Sequence, residues 1–104
     1  MKIGISEEVV RTVRIRIEDR LDAFSAQELR THFDELFEQG VTNYVIDLSA
    51  TPFMDSAGMA VLVSAMKRAR QAGGDVALVW PDADAVKRIL KLTHFDRVFT
   101  MLDA

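Results

Sequence analysis

The run Asp47-Leu-Ser-Ala-Thr-Pro-Phe-Met-Asp-Ser-Ala-Gly-Met-Ala60 is the most informative part of this chain for both fold and site. It overlaps an apolar strand, Tyr44-Val-Ile-Asp-Leu48, and Pro52 marks a short loop before a long apolar helix. The loop delivers Asp55 and Ser56 to the first turn of that helix. A phosphate on Ser56 would face free backbone N–H groups and the positive end of the helix dipole. The neighbouring surface would become strongly anionic, which is typical of a switch.

Upstream of this run, the pattern predicts two strands and one helix. A tight connection at Ser6-Glu7-Glu8 joins the strands, and Arg14 and Arg16 alternate with apolar residues, so we expect them on a solubilising face. The helix is predicted to begin at the capping box Ser25-Ala-Gln-Glu28 and to end at Gly40. Two apolar residues would form its hydrophobic staple, Phe24 and Leu29.

Downstream, strands and helices continue to alternate. Gly73-Gly74 ends the Ser56 helix, and Val76–Trp80 is predicted as a strand covered on both faces. Pro81 and Asp82 open a third helix, and Phe95–Leu102 holds a short edge strand or a terminal helix. The order predicts an α/β fold in one domain spanning residues 1–104, with a mixed β-sheet of four to five strands covered by three to four helices.

Composition restricts the functional class. The chain has 104 residues, a net charge of −3 and scattered basic residues, whereas nucleic-acid binders concentrate theirs on one face. It has no cysteine, no long apolar stretch and no signal-peptide pattern at its start. We therefore expect a cytoplasmic protein, a monomer when free, that binds neither nucleic acid nor membrane.

Three acids are predicted where strands end, the edge at which ligands bind in α/β sheets. Asp22, Asp47 and Asp55 could form an acidic rim around Ser56 that resembles a magnesium site, or each could simply cap a turn. The plainer interpretation of Ser56 itself is an N-terminal helix residue beside an Asp55 cap. The apolar pair Phe53-Met54 either packs under the helix or belongs to a docking surface.

Catalytic signatures are missing from the sequence. Ser56 does not lie in Gly-x-Ser-x-Gly, and no phosphate-cradling Gly-rich loop is present. His32 and His94 are the only candidate histidine bases, and their spacing matches no metal motif. The sequence therefore predicts no enzyme activity, no cofactor and no metal.

Four segments together resemble the STAS domains of bacterial anti-sigma factor antagonists. They are Arg20-Leu-Asp-Ala23, Val45-Ile-Asp-Leu-Ser49, Phe53-Met-Asp-Ser-Ala-Gly58 and Leu92-Thr-His-Phe-Asp-Arg-Val-Phe99. The resemblance extends over essentially the whole chain and implies a STAS-type fold. The chain departs from the family pattern in having Asp19 where a glycine is common. It also has Ala57 where many relatives carry a second hydroxyl.

The resemblance implies a partner-switching role in sigma-factor control, as in stress response or sporulation. The unmodified protein would bind an anti-sigma factor that is also a serine kinase, phosphorylation of Ser56 would end binding, and a PP2C-type phosphatase would restore it. The implied partner-binding residues are Asp22, Asp47, Phe53, Met54, Asp55, Ser56, Ala57, Gly58 and Met59.

Other functions are compatible with the same residues. The chain could be a STAS subunit of a lipid-transport, transporter or stressosome-like assembly, or a nucleotide-binding domain that uses the acidic rim with magnesium. A receiver domain fits poorly, because the acidic pair after the first strand and the lysine after the last strand are missing.

Overall fold

The computed structural model describes residues 11–103. The predicted first strand and the connection Ser6-Glu7-Glu8 lie outside this range. The elements follow in the order β1 Thr12–Arg16, α1 Ala23–Glu38, β2 Asn43–Asp47, α2 Ser56–Gln71, β3 Asp75–Val79, α3 Asp84–Leu92, α4 Phe95–Val98 and β4 Thr100–Leu102. The predicted α/β architecture is confirmed.

The described sheet has four strands in the sequential order β1-β2-β3-β4, and all neighbouring strands are parallel. Any antiparallel member of the predicted mixed sheet would fall outside the described residues. Right-handed crossovers in a sequential sheet carry all the helices over one face. On that face Tyr44 and Ile46 of β2 pair with Val76 and Leu78 of β3, and all four are buried. They form the centre of the core with the apolar faces of the helices.

The predicted start of α1 at Ser25 was wrong, because the helix begins at Ala23. Asp22 is the N-cap, its carboxylate accepts from the backbone N–H groups of Phe24 and Ser25, and the Ser25 hydroxyl accepts from the Asp22 N–H. Phe24 therefore lies in the first turn with 90% of its surface exposed, so it forms no staple. The predicted end is confirmed, since Gly40 follows α1 with a left-handed φ of 84°.

The C-terminal third differs from its prediction in detail. The helix expected to open at Pro81 and Asp82 begins at Asp84, after Ala83. The segment Phe95–Leu102 contains a one-turn helix and a three-residue edge strand rather than one or the other.

Candidate functional site

Helices α1 and α2 begin beside each other. Leu21 and Met54 form an isolated parallel β-bridge just before the two helices. The Leu21 N–H donates to the Phe53 carbonyl over 2.9 Å, and the Asp55 N–H donates to the Leu21 carbonyl over 3.2 Å. Because a parallel bridge aligns the residues that follow it, the first turns of both helices lie at the same edge of the domain.

Gly58, the third residue of α2, lies directly against Leu21. A Cβ at this position would come within 2.3 Å of the Leu21 carbonyl oxygen and 2.7 Å of Leu21 Cγ. Only glycine permits so close an approach of backbone to backbone. The glycine of the Asp-Ser-x-Gly element therefore allows α2 to start against the segment that precedes α1.

Asp55 caps α2, as the plainer interpretation of the sequence predicted. Its Oδ1 accepts from the backbone N–H groups of Ala57 and Gly58 over 2.9 and 3.1 Å. Ser56 is therefore the first helical residue, and its side chain is exposed. Its hydroxyl has no hydrogen-bond partner within the part of the chain that the structure describes. Ser56 thus presents an uncommitted hydroxyl at the positive end of a 16-residue helix.

The apolar residues around Ser56 are mostly buried. Met54 and Met59 retain only 4% and 5% of their surface. Phe53 is half-buried beneath Arg20, whose guanidinium carbon lies 4.2 Å from the centre of the ring. Met54 therefore packs under the helix, whereas Phe53, Ala57 and Ala60 offer apolar surface next to the serine.

Asp47, at the end of β2, accepts hydrogen bonds on both of its carboxylate oxygens. Its side chain is only 7% exposed, and Oδ2 accepts from the Arg14 guanidinium over 2.7 Å. Oδ1 accepts from the Ser49 N–H over 3.0 Å. Hydrogen bonds from Ser49, followed by the contact with Arg14, lower the pKa of Asp47 to about 2. Arg14 faces solvent as predicted, yet it also ties β1 to β2.

A model of the STAS domain family matches residues 5–104 of the chain. The chain belongs to the STAS domain family. The structure agrees, because the Asp-Ser-x-Gly element begins α2 directly after the loop that follows β2, as the sequence pattern predicted.

Named relatives of this STAS domain include a Thermotoga maritima protein provisionally named an anti-sigma factor antagonist. The two are 35% identical over 71 residues, which is 68% of this chain and 62% of the relative, so the chain matches less than two thirds of that protein's length. A crystal structure from the same organism, with the same provisional name, has a TM-score of 0.82 and 30% identity. That alignment covers 88% of this chain and 80% of the other.

The anti-sigma factor antagonist SpoIIAA shares the fold at lower identity. Its unphosphorylated form has a TM-score of 0.79 and 24% identity over 94% of this chain and 84% of SpoIIAA. The phosphorylated form of SpoIIAA from Bacillus has a TM-score of 0.73 and 23% identity, over 95% and 87% of the two chains.

Each of the three predicted rim acids of the STAS domain has a local partner. Asp22 caps α1, and the Ser25 N–H is the main cause of its lowered pKa. Asp55 caps α2, and Asp47 binds Arg14. Within residues 11–103, no three His, Asp or Glu side chains are grouped so that they could hold a metal ion. In the same range, no helix has the length and apolarity needed to cross a bilayer.

Sequence patterns missed three residues of the site. Thr51 is fully buried, and its hydroxyl donates to the Ile17 carbonyl over 2.7 Å, which fixes the loop ahead of Ser56. Arg20 covers Phe53, and no local pattern predicts that contact. The exposure of Phe24 could have been predicted, because Asp22-x-x-Ser25 is itself a capping pattern.

Proposed function

We propose that this STAS domain is an anti-sigma factor antagonist regulated by phosphorylation of Ser56. The unmodified form binds an anti-sigma factor with serine-kinase activity and thereby frees the sigma factor. The phosphorylated form releases the kinase, and a PP2C-type phosphatase restores the binding form. The exposed, uncommitted Ser56 hydroxyl at the start of α2 carries the proposal. The names of the relatives support it, as do the two forms in which SpoIIAA has been solved.

Phosphorylation acts here through charge. A phosphate adds about −1.5 to −2 charges, which the helix dipole tolerates in the free protein. At an interface the same group must lose its water or meet a carboxylate of the partner. Either effect costs several kcal/mol, on the order of a thousandfold in affinity.

The construction of the site favours ejection of the partner without a change of fold. The position of Ser56 is set by the Leu21–Met54 bridge, the Gly58 contact and the Asp55 cap. The Ser56 side chain takes part in none of these interactions. Adding a phosphate to it therefore changes the surface of the domain and leaves its supports in place.

The partner surface follows from the exposure of the predicted residues. We propose that Ser56 lies at its centre, with the half-exposed side chains of Asp22, Phe53, Asp55 and Ala57 around it. The other members of the predicted set are buried, so we do not expect them to contact the partner directly: Asp47, Met54, Gly58 and Met59.

Pull-down from the native cell tests the proposal. Wild type, Ser56→Ala, Ser56→Asp and Gln71→Glu are compared, with partners identified by mass spectrometry. Gln71 is the exposed last residue of α2, so Gln71→Glu controls for added charge on the same helix. We expect wild type, Ser56→Ala and Gln71→Glu to retain a small ATPase-fold kinase. Ser56→Asp should bind this kinase at least about tenfold more weakly than wild type does. The effect is expected to be smaller than that of phosphorylation, because one carboxylate carries less charge than a phosphate.

Phosphorylation is tested directly with the recovered kinase. Incubation with ATP and magnesium should add the mass of one phosphate to wild type and none to Ser56→Ala. The same set of partners for Ser56→Asp and wild type would contradict the switch. Recovery of transporter or scaffold subunits in place of a kinase would favour a STAS subunit of another assembly.

A further inference from the structure

The face of α2 that begins at Ser56 continues as one wall of an open groove. Its residues recur at intervals of three and four, so they lie along one side of the helix. From the first to the last, this wall is about 16 Å long. It consists of Ser56, Met59, Ala60, Val63, Ser64 and Lys67.

The opposite wall comes from the C-terminal part of the chain. Ile89 of α3, Thr93 after α3 and Phe95 of α4 face the α2 wall across a volume of about 510 Å³. Small-molecule sites usually enclose about 300–1,000 Å³. The groove between α2 and α3–α4, called the α2 groove below, thus has the size of a ligand site rather than of a packing defect.

The residues that line the α2 groove are mostly apolar, and only one of them is charged. Five of its nine lining residues are apolar, three carry hydroxyls and one, Lys67, is charged. None of the Asp and Glu side chains among the described residues lines it. Within residues 11–103, Lys67 has no carboxylate within 4.0 Å, whereas Arg68 and Arg70 on the same helix both form ion pairs. The groove therefore has mostly apolar walls, and the unpaired Lys67 ammonium lies at the end away from Ser56.

We propose that the α2 groove binds a small amphipathic anion with a hydrocarbon body and a carboxylate head group. The head pairs with Lys67, and the body lies between Met59 and Val63 on one side and Ile89 and Phe95 on the other. A cationic amphiphile would meet Lys67 as a like charge. This site is independent of the proposed phosphorylation, and only its regulatory meaning rests on the proposed function.

Ser56 lies at the end of the groove opposite Lys67. A chain that spans the groove therefore reaches Ser56 with its apolar tail. A charge at position 56 would have to lose water against that tail, which is unfavourable. Binding of a long amphiphile and a negative charge at Ser56 are expected to oppose each other, which would couple the ligand to the partner switch.

Isothermal titration with dodecanoate below its micelle concentration tests the site on the purified domain. We expect saturable binding of one molecule, and at least tenfold weaker binding of dodecylammonium, which has the same chain and the opposite charge. Lys67→Met should weaken dodecanoate binding about fivefold, the value of one partly solvated ion pair. Arg88→Met is the matched control, because Arg88 is exposed on α3 and does not line the groove. It should bind like wild type.

Two further variants separate the groove from non-specific binding. Ala60→Leu adds bulk to the α2 wall of the groove and should abolish dodecanoate binding. Ser56→Asp should weaken dodecanoate more than the shorter octanoate, whereas Ser56→Ala should weaken neither. Circular dichroism confirms that each variant is folded. The proposal is overturned if dodecanoate does not saturate, if dodecylammonium binds equally well, or if Lys67→Met or Ala60→Leu binds like wild type. None of these results depends on a kinase.

Discussion

Gly58→Ala tests the contact that joins the two helix starts. In an ordinary helix this change is favourable by about 1 kcal/mol, because alanine has the higher helix propensity. Here the added Cβ would lie 2.3 Å from the Leu21 carbonyl oxygen, where an ordinary contact begins at 3.4 Å. The two backbones would have to separate by about 1 Å, and neither is the flexible end of a side chain.

The cost of this separation follows from what Leu21 holds in place. Its carbonyl accepts from the Asp55 N–H, and its own N–H donates to the Phe53 carbonyl. Losing one such bond costs about 0.5–1.5 kcal/mol, and overpacking costs about 1–3 kcal/mol. After the gain in propensity is subtracted, we expect Gly58→Ala to lower the free energy of unfolding by about 0.5–3.5 kcal/mol.

Urea denaturation followed by circular dichroism measures this difference. Ala60→Gly is the matched control, since it makes the reverse change on an exposed face of the same helix. It should cost about 1 kcal/mol through propensity alone. A Gly58→Ala protein that unfolds at the wild-type urea concentration or above would refute the contact with Leu21 as a constraint on this position.

Substitutions at three other positions test the supports and the surface of the site. Asp55→Ala should cost about 1 kcal/mol in urea denaturation, whereas Asp55→Asn, which can still cap, should cost little. The pKa of Asp47 is lowered in the folded state, so its contribution is complete above about pH 5 and is lost as the pH falls towards 2. Asp47→Asn should therefore flatten the fall in unfolding free energy over that range. Phe24→Ser should change stability by less than about 0.5 kcal/mol, because Phe24 is 90% exposed.

Local signals were sufficient for the order of elements from β1 to α3. Gly40 and Gly73 take left-handed conformations that end helices α1 and α2, and both stops were predicted from residue type. The start of α1 was harder, because Asp22-x-x-Ser25 and Ser25-x-x-Glu28 are both capping patterns, three residues apart. The β-bridge of Leu21 fixes Asp22 as the cap, and a single local pattern contains no information on that bridge.

Contacts between distant segments account for what the sequence did not predict. Arg14 and Asp47 are 33 residues apart and meet only because β1 and β2 are neighbours in the sheet. The three residues of β4 are too short to show a period of two, and their pairing with β3 defines the strand. The position of Ser56 was predicted because the loop and the helix start are encoded within a few residues.

Helices α1 and α2 begin in the same way. A buried apolar residue enters the β-bridge, and the aspartate after it caps the helix, as in Leu21-Asp22 and Met54-Asp55. In both cases the backbone and the aspartate fix the first turn. Ser56 contributes nothing to this support.

Substitution of Ser56 should therefore leave the fold unchanged. Ser56→Ala is expected to alter the free energy of unfolding by less than about 0.5 kcal/mol. Ser56→Asp should stabilise the domain by about 0.3–1 kcal/mol, because the new charge lies at the positive end of α2. Urea denaturation of both variants decides the matter. A loss above about 1 kcal/mol in Ser56→Ala would show that the hydroxyl has a structural role, and a change in partner binding could then no longer be assigned to charge. Unchanged stability together with lost binding in Ser56→Asp is the combination that a surface switch requires.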